Sequence, residues 1–258
     1  MASKATGYPL AHVAAKLALG YNLIDLKNTV TGKTTACFEP ALDYIALKIP
    51  RWDLEKFQQV SQEINTEMKS VGEIMALGRS FEEVLLKGLR MLQVGMYGFT
   101  ANKKFVLKKK SLSKEISQPT PKRILAVSEA LKNGWSTTKI NKLSGIDIWF
   151  LEKLKNIIEI EKKLAITSTN KTKISAELLR ESKKQGFSDK QIATIVKSNE
   201  MTIRKLRKKH GIIPVVKQID TLAAEYPANT NYLYLTYHGN HDDINFSKKK
   251  KIIVLGSG

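Results

Sequence analysis

Apolar residues first recur at helical spacing in residues 8–19, where Leu10, Val13, Ala14, Leu17 and Ala18 share a face. Gly20 follows as the expected terminator, because glycine accepts the left-handed conformation that ends many helices. A mostly non-helical stretch comes next, interrupted by Phe38–Glu39–Pro40. DYIALKIP, from Asp43 to Pro50, is rich in β formers and predicts a strand stopped by its proline. MKSVGEIMALG, from Met68 to Gly78, breaks its apolar runs with glycines and reads as strand and turn. Ser80 then opens a helix, with Glu83 placed to complete a capping box. Phe81, Val84, Leu85, Leu89 and Leu92 form its apolar stripe.

From about Val94 the pattern changes. The segment to Gln118 is basic and turn-like, punctuated by Pro119 and Pro121. Short helices follow. Ile124, Val127 and Leu131 share one face before Gly134, and Ser136 caps a helix carrying Ile140 and Leu143. Phe150, Leu154, Ile157, Ile158 and Leu164 mark a longer amphipathic helix. Ser175 starts another that buries Leu178 and Leu179 and ends near Gly186. Ser188 and Gln191 make a second capping box ahead of Ile192, Ile195 and Val196, and a last helix holds Ile203 and Leu206. After Pro214 the chain turns extended. Tyr232, Tyr234, Thr236 and Tyr237 suggest one strand, and Lys251–Leu255 is a compact β run entering Gly256–Ser257–Gly258. A strand that feeds glycines commonly leads into a helix and a phosphate site.

Length and composition narrow the class. At 258 residues the chain exceeds one typical domain, so two domains, or one with incomplete neighbours, are expected. With 42% hydrophobic and 26% charged residues it has the balance of a soluble globular protein. No apolar run is long enough to span a bilayer, and the first residues do not read as a secretory signal. The single cysteine, Cys37, excludes an intrachain disulfide, fits a reducing cytoplasmic compartment and is expected as a buried thiol.

The formal charge of +19 could mean a polyanionic partner. Its dense runs, Lys103–Lys104 with Lys108–Lys110 and Lys248–Lys251, flank expected boundaries instead of lining a helix face, so a solvated surface is the favoured reading. The segment GFSDKQIATIVKSNEMTIRKLRKKHG (residues 186–211) could pass for a helix-turn-helix. Its second helix carries Arg204, Lys205, Arg207, Lys208 and Lys209, which makes a basic helical nucleic-acid binder the competing function. His238, His241, Asp242 and Asp243 place metal-capable side chains in a short span, but in a turn, where an exposed loop outweighs a metal site. Trp52, Trp135 and Trp149 sit among apolar neighbours and are expected to pack in cores.

Several strings resemble one family. SKATGYPLA (Ser3–Ala11), FEPALDYIALKIPRWDLEKF (Phe38–Phe57) and MKSVGEIMALGRSFEE (Met68–Glu83) are similar to the end of the first, carboxyphosphate-forming ATP-grasp half of the carbamoyl-phosphate synthase large subunit. IDIWFL (Ile146–Leu151), GFSDKQIA (Gly186–Ala193) and VKQIDTLAAEYPANTNYLYLTY (Val216–Tyr237) resemble the helical oligomerisation domain between its halves, and IIVLGSG resembles the first strand of the second half. The matches fall in the family's order along nearly the whole chain. With them in place the nucleic-acid reading recedes to an alternative, and no specific nucleic acid and no membrane are expected as partners.

The resemblance implies an α+β chain. An incomplete ATP-grasp C-terminal portion (1–93) would precede an all-α helical oligomerisation domain (94–240) and a short β segment opening the second half (241–258). It implies a parent that makes carbamoyl phosphate from bicarbonate, two ATP and ammonia released from glutamine, for arginine or pyrimidine synthesis. Such a parent uses ATP, magnesium or manganese, and potassium. The family's Glu-x-Asn-x-Arg segment is expected just upstream of the first residues here. No catalytic, cofactor or metal residue therefore carries over, and the chain alone is expected to be noncatalytic. Two positions resemble the lining of the family's carbamate tunnel, Leu42 and Glu73; without the family they would read as a core residue and a strand-end carboxylate. Expected partners are the remaining parts of the large subunit, a glutamine amidotransferase small subunit, and further copies through the helical domain.

Overall fold

The computed structural model describes the chain except residues 1, 57–58, 103–111, 171, 224, 231, 248–249, 251 and 253–258, together with the side chain at 55. Two short helices lead, α1 (Ala2–Thr6) and α2 (Leu10–Ala18). Gly20 ends α2 at φ +92°, as its position predicts. A small cluster of Tyr8, Val13, Leu26, Val30 and Ala36 packs the loop that follows against them. Strand β1 (Ile45–Arg51) then pairs antiparallel with β2 (Gly72–Gly78) as a two-stranded sheet. Pro50 does not stop β1. It sits inside the strand opposite Glu73, and in a two-stranded sheet every strand is an edge strand, the setting in which proline is tolerated.

Ser80 opens α3 (Phe81–Met91) by accepting the Glu83 amide at 3.2 Å. Ten α-helices are seen among the described residues, and the rest follow α3: α4 (Leu112–Ser117), α5 (Arg123–Lys132), α6 (Thr137–Ser144), α7 (Ile148–Thr169), α8 (Ala176–Lys184), α9 (Asp189–Ile195) and α10 (Glu200–Lys209). Serines 136, 175 and 188 each cap their helix as expected, and Asp147 and Asn199 cap α7 and α10. Each such cap contributes about 1 kcal/mol by satisfying an otherwise unpaired amide. A second antiparallel pair, β3 (Val215–Gln218) with β4 (Leu233–Thr236), closes the described order.

The main core lies among the helices. Leu151, Leu154, Ile157, Ile158, Ile160 and Leu164 of the 22-residue α7 form its spine, met by Leu125, Val127, Ile140, Leu179, Ile192 and Ile203. Leu85, Leu86, Leu89 and Leu92 bury in the same cluster, so α3 joins the helices although its sequence neighbours belong to the β1–β2 hairpin. The chain is thus a mixed helix and sheet structure.

Further expectations require correction. The span 94–240 is not all-α, because Val215, Val216 and the run Leu233–Thr236 favour extended backbone and pair as β3 and β4. The stretch expected to be turn-like up to Gln118 contains α4, whose Leu112 and Ile116, one helical turn apart, are fully buried; surrounding lysines and serines hide that two-residue stripe. Cys37 is exposed, not buried, because its neighbour Ala36 fills the small cluster and extended backbone alternates its side chains. Trp149 is exposed as well, since it stands in the first turn of α7 before the helix reaches the core; Trp52 and Trp135 are half-buried. The β run expected at Lys251–Leu255 with its glycines, and the basic run at 103–110, lie outside the described residues.

Candidate functional site

The chemistry of the chain concentrates where the β1–β2 hairpin, α3 and the C-terminal strands meet. Glu83 is the centre. Its capping-box partner was expected to be Ser80, yet the carboxylate accepts the Arg79 amide at 2.9 Å and the Thr236 hydroxyl at 3.0 Å, and pairs with Lys87 at 2.7 Å. The α3 N-terminus explains the preference for a negative charge here. Lys87 in turn donates to the carbonyls of Leu77 on β2 (2.7 Å) and Leu235 on β4 (2.6 Å), so one ammonium bridges two separate sheets. Burial holds its pKa below the usual lysine value, an effect only partly offset by Glu83.

The C-terminal segment returns along the first eighty residues at several further points. Tyr44 donates to Ala5 O at 2.6 Å and lies 3.1 Å from Asp220 O, with its ring against Tyr234. Burial first, then the nearby Asp220 charge, raises the Tyr44 pKa. Ala41 and Leu222 form a parallel bridge, Asn229 donates to Val30 O and Thr31 O, and Arg79 reaches both Asp43 and the Tyr234 hydroxyl. Residues 215–236 therefore act as a clasp holding the β1–β2 portion to the helices.

Beneath the clasp lies a buried ionic cluster. Asp189 accepts from Lys183 at 2.8 Å and from Arg207 at 2.7 Å, while Lys183 also donates to Phe187 O and Arg90 to Gly186 O. Burial pushes Lys183 down to about 8 and Arg90 to about 10. Burial works to raise Asp189, but Lys183 and Arg207 outweigh it and its pKa falls. These contacts change the helix-turn-helix picture: α9 and α10 do pack as a hairpin, but Arg207 points into the protein, leaving Arg204, Lys205, Lys208 and Lys209 outside. The inward turn of one central cation and its pairing with a carboxylate suit a structural hairpin.

Leu42 and Glu73 are both exposed and are not brought together. Glu73 pairs in register with Pro50 while Leu42 lies beyond Ile45 at the other end of the hairpin. The five intervening residues of β1 alone span about 17 Å. Glu73 is ion-paired with Lys48, the first cause of its lowered pKa. Around His238 and His241, Asp242 accepts the Val216 amide and Asp243 the Lys217 ammonium and Gln218 amide, so both carboxylates are spent on fastening β3. Among the described residues no group of three or more His, Cys, Asp or Glu side chains could hold a metal ion, and no helix is long and apolar enough to cross a membrane.

Sequence reasoning missed Glu83 as a hub, and Lys87 and Thr236 as its partners. Only the run of Glu83 and Lys87 at one-turn spacing was visible, and it reads as an ordinary surface pair.

Comparison with known proteins covers all of this framework. The family described as "Carbamoyl-phosphate synthetase large chain, oligomerisation domain" matches residues 73–211. The whole chain is 52% identical to part of "Multifunctional protein pyr1-3" of Dictyostelium discoideum, covering 11% of that protein. It is 51% identical to "Carbamoyl-phosphate synthase [ammonia], mitochondrial" of Rattus norvegicus, covering 17% of it, and 48% identical to "Carbamoyl phosphate synthase large chain" of Sulfolobus acidocaldarius, covering 24%. The chain spans less than a quarter of the length of these relatives. The family match begins at Glu73 in β2 and runs through α10, so Glu83, Lys87, the ionic cluster and nearly all of the main core lie within it, while Thr236 on β4 lies beyond it. The chain belongs to the carbamoyl-phosphate synthetase large chain family and carries its oligomerisation domain.

Proposed function

We propose that the chain is the architectural middle of a glutamine-hydrolysing carbamoyl-phosphate synthase large subunit. That subunit would turn bicarbonate, two ATP and ammonia from glutamine into carbamoyl phosphate for arginine or pyrimidine synthesis in the cytoplasm. The single observation that carries the reading is the unbroken match, in order, of all of this chain to segments of such large chains. Residues 1–93 then end the carboxyphosphate-forming ATP-grasp half, 94–240 are the helical domain, and 241–258 open the second half. Its partners are the flanking parts of the large subunit, the amidotransferase small subunit and further copies of itself.

In this reading the chain alone does not turn over ATP. No Glu-x-Asn-x-Arg string occurs in its 258 residues, so the carboxylate and amide oxygens that hold divalent metal on the nucleotide phosphates are supplied elsewhere in the parent. What these residues do is hold position. Glu83, Lys87 and Thr236 tie the end of one ATP-grasp half to the strand that leads toward the other. Leu42 and Glu73, at opposite ends of the hairpin, line successive stretches of the carbamate conduit, where excluding water protects a labile intermediate.

The test is twofold. The isolated chain is assayed for bicarbonate-dependent ATP hydrolysis, with turnover above a denatured control refuting the noncatalytic reading. Mixing it with polypeptides bearing the flanking halves is expected to restore carbamoyl phosphate synthesis; no restoration with folded pieces counts against the whole proposal.

A further inference from the structure

The first turn of α7 presents three consecutive large apolar side chains that the described residues leave open. Ile148, Trp149 and Phe150 are 43%, 52% and 42% exposed, although the rest of the helix buries its apolar stripe in the usual way. A run of this kind on a surface otherwise rich in lysine marks an interaction site more often than an accident of composition.

The patch is rigid. Phe81 at the head of α3 lies 5.8 Å from the Trp149 ring and 5.2 Å from Phe150, and Trp149 and Phe150 meet edge to face at 5.0 Å. Asp147 accepts the Trp149 amide at 2.7 Å, and Asn156 donates to Glu82 at 2.9 Å, locking the two helices that carry the rings. Rings already held by one another lose little rotamer freedom on binding, and tryptophan is enriched among the residues that dominate interface energies.

We propose that this aromatic face is the seat of a flanking lobe of the large chain, an inference that rests on the function proposed above. Two features select that occupant over a second copy of the chain. With side chains of about 150–250 Å² each, the exposed fractions leave roughly 300 Å² of apolar surface. A stable association of separate proteins hides about 800 Å² on each partner. The patch is therefore too small to hold two copies together by itself. A lobe of the same polypeptide needs much less area, because tethering supplies a high effective concentration. The relatives have polypeptide to spare for this role, since the chain matches between 11% and 24% of their lengths.

The experiment replaces the matching stretch of the Sulfolobus acidocaldarius large chain by this chain, with and without the pair Trp149→Ala and Phe150→Ala. Hydroxyl-radical labelling of Trp149 and Phe150 is compared between the chimera and the isolated chain, and proteolytic release of the adjoining lobes between the two chimeras. The proposal expects labelling to fall severalfold in the chimera, and the double substitution to speed lobe release at least about tenfold. In the isolated chain the same substitutions are expected to leave helix content unchanged and to lower melting by only a few degrees, the loss of the ring contacts with Phe81, which separates lost docking from misfolding. Equal labelling in both settings overturns the proposal. So does a dimer of the isolated chain that Trp149→Ala abolishes. A chimera in which the patch is protected but no carbamoyl phosphate forms supports the docking and counts against the proposed function.

Discussion

Glu83 and Thr236, 153 positions apart, share a hydrogen bond of 3.0 Å in a place closed to water. The carboxylate belongs to the first turn of α3 and the hydroxyl to the last residue of β4, so a single contact joins the middle of the chain to its far end. Replacing Thr236 by Val keeps the side-chain shape and removes the donor. Because Glu83 is only 1% exposed, its charge cannot turn to water instead, and the expected loss is about 1–3 kcal/mol in urea unfolding. A change within error would mean that Lys87 and the Arg79 amide satisfy the carboxylate by themselves.

Gly186 and Gly20 offer a controlled pair. Both have strongly positive φ, +95° and +92°, but a Cβ on Gly186 would stand 2.8 Å from the Glu83 Cα while one on Gly20 would meet open space. Gly20→Ala is expected to cost about 1 kcal/mol of backbone strain. Gly186→Ala adds a backbone clash and should cost at least about 2 kcal/mol more. Equal melting temperatures for the two variants would disprove the close approach of α3 to the α8–α9 turn.

The Asp189 cluster predicts an acid-dependent loss of stability. The folded-state pKa of Asp189 lies below its unfolded value, so its contribution is present above about pH 4 and is lost as pH falls through the folded value. Asp189→Asn should therefore destabilise strongly near neutrality, by about 3–5 kcal/mol, since two cations stay buried with their partner gone. The gap between native and variant, followed by urea unfolding, should close as the medium becomes more acid. A gap independent of pH would show that the carboxylate charge is not what the cluster uses.

Hydrogen exchange should map the two levels of packing. The β1–β2 hairpin has only two strands and the first residues only a small cluster, so residues 1–78 are expected to exchange faster than the helices between 122 and 210. Helix α3 is expected to behave with the slow group, because Leu85, Leu86 and Leu89 lie in the main core. Fast exchange through residue 93 would instead favour a domain boundary at that point.

Much of this was readable from the residues alone, for a physical reason. Helix caps and apolar stripes are local: a serine three positions before the amide it accepts, or leucines one turn apart, work the same way whatever surrounds them. That is why Ser80, Ser136, Ser175 and Ser188 were found as helix starts, and why α7 could be drawn from Leu154, Ile157, Ile158 and Leu164. Helix α4 escaped because its buried face is just Leu112 and Ile116, too short a pattern to stand out.

By itself, then, the order of residues determined most of the helices and a family resemblance spread along the chain, while the short α1, α4 and β3 stayed hidden. Which way a side chain faces in space was decided only by tertiary packing. Arg207 and Trp149 make the point from opposite sides, the cation turned inward to Asp189 and the indole left in solvent. The Glu83 hub belongs to the same class. Its partners come from three segments, and no local rule can bring Thr236 to α3, because that encounter depends on the free energy of burying the whole core between them.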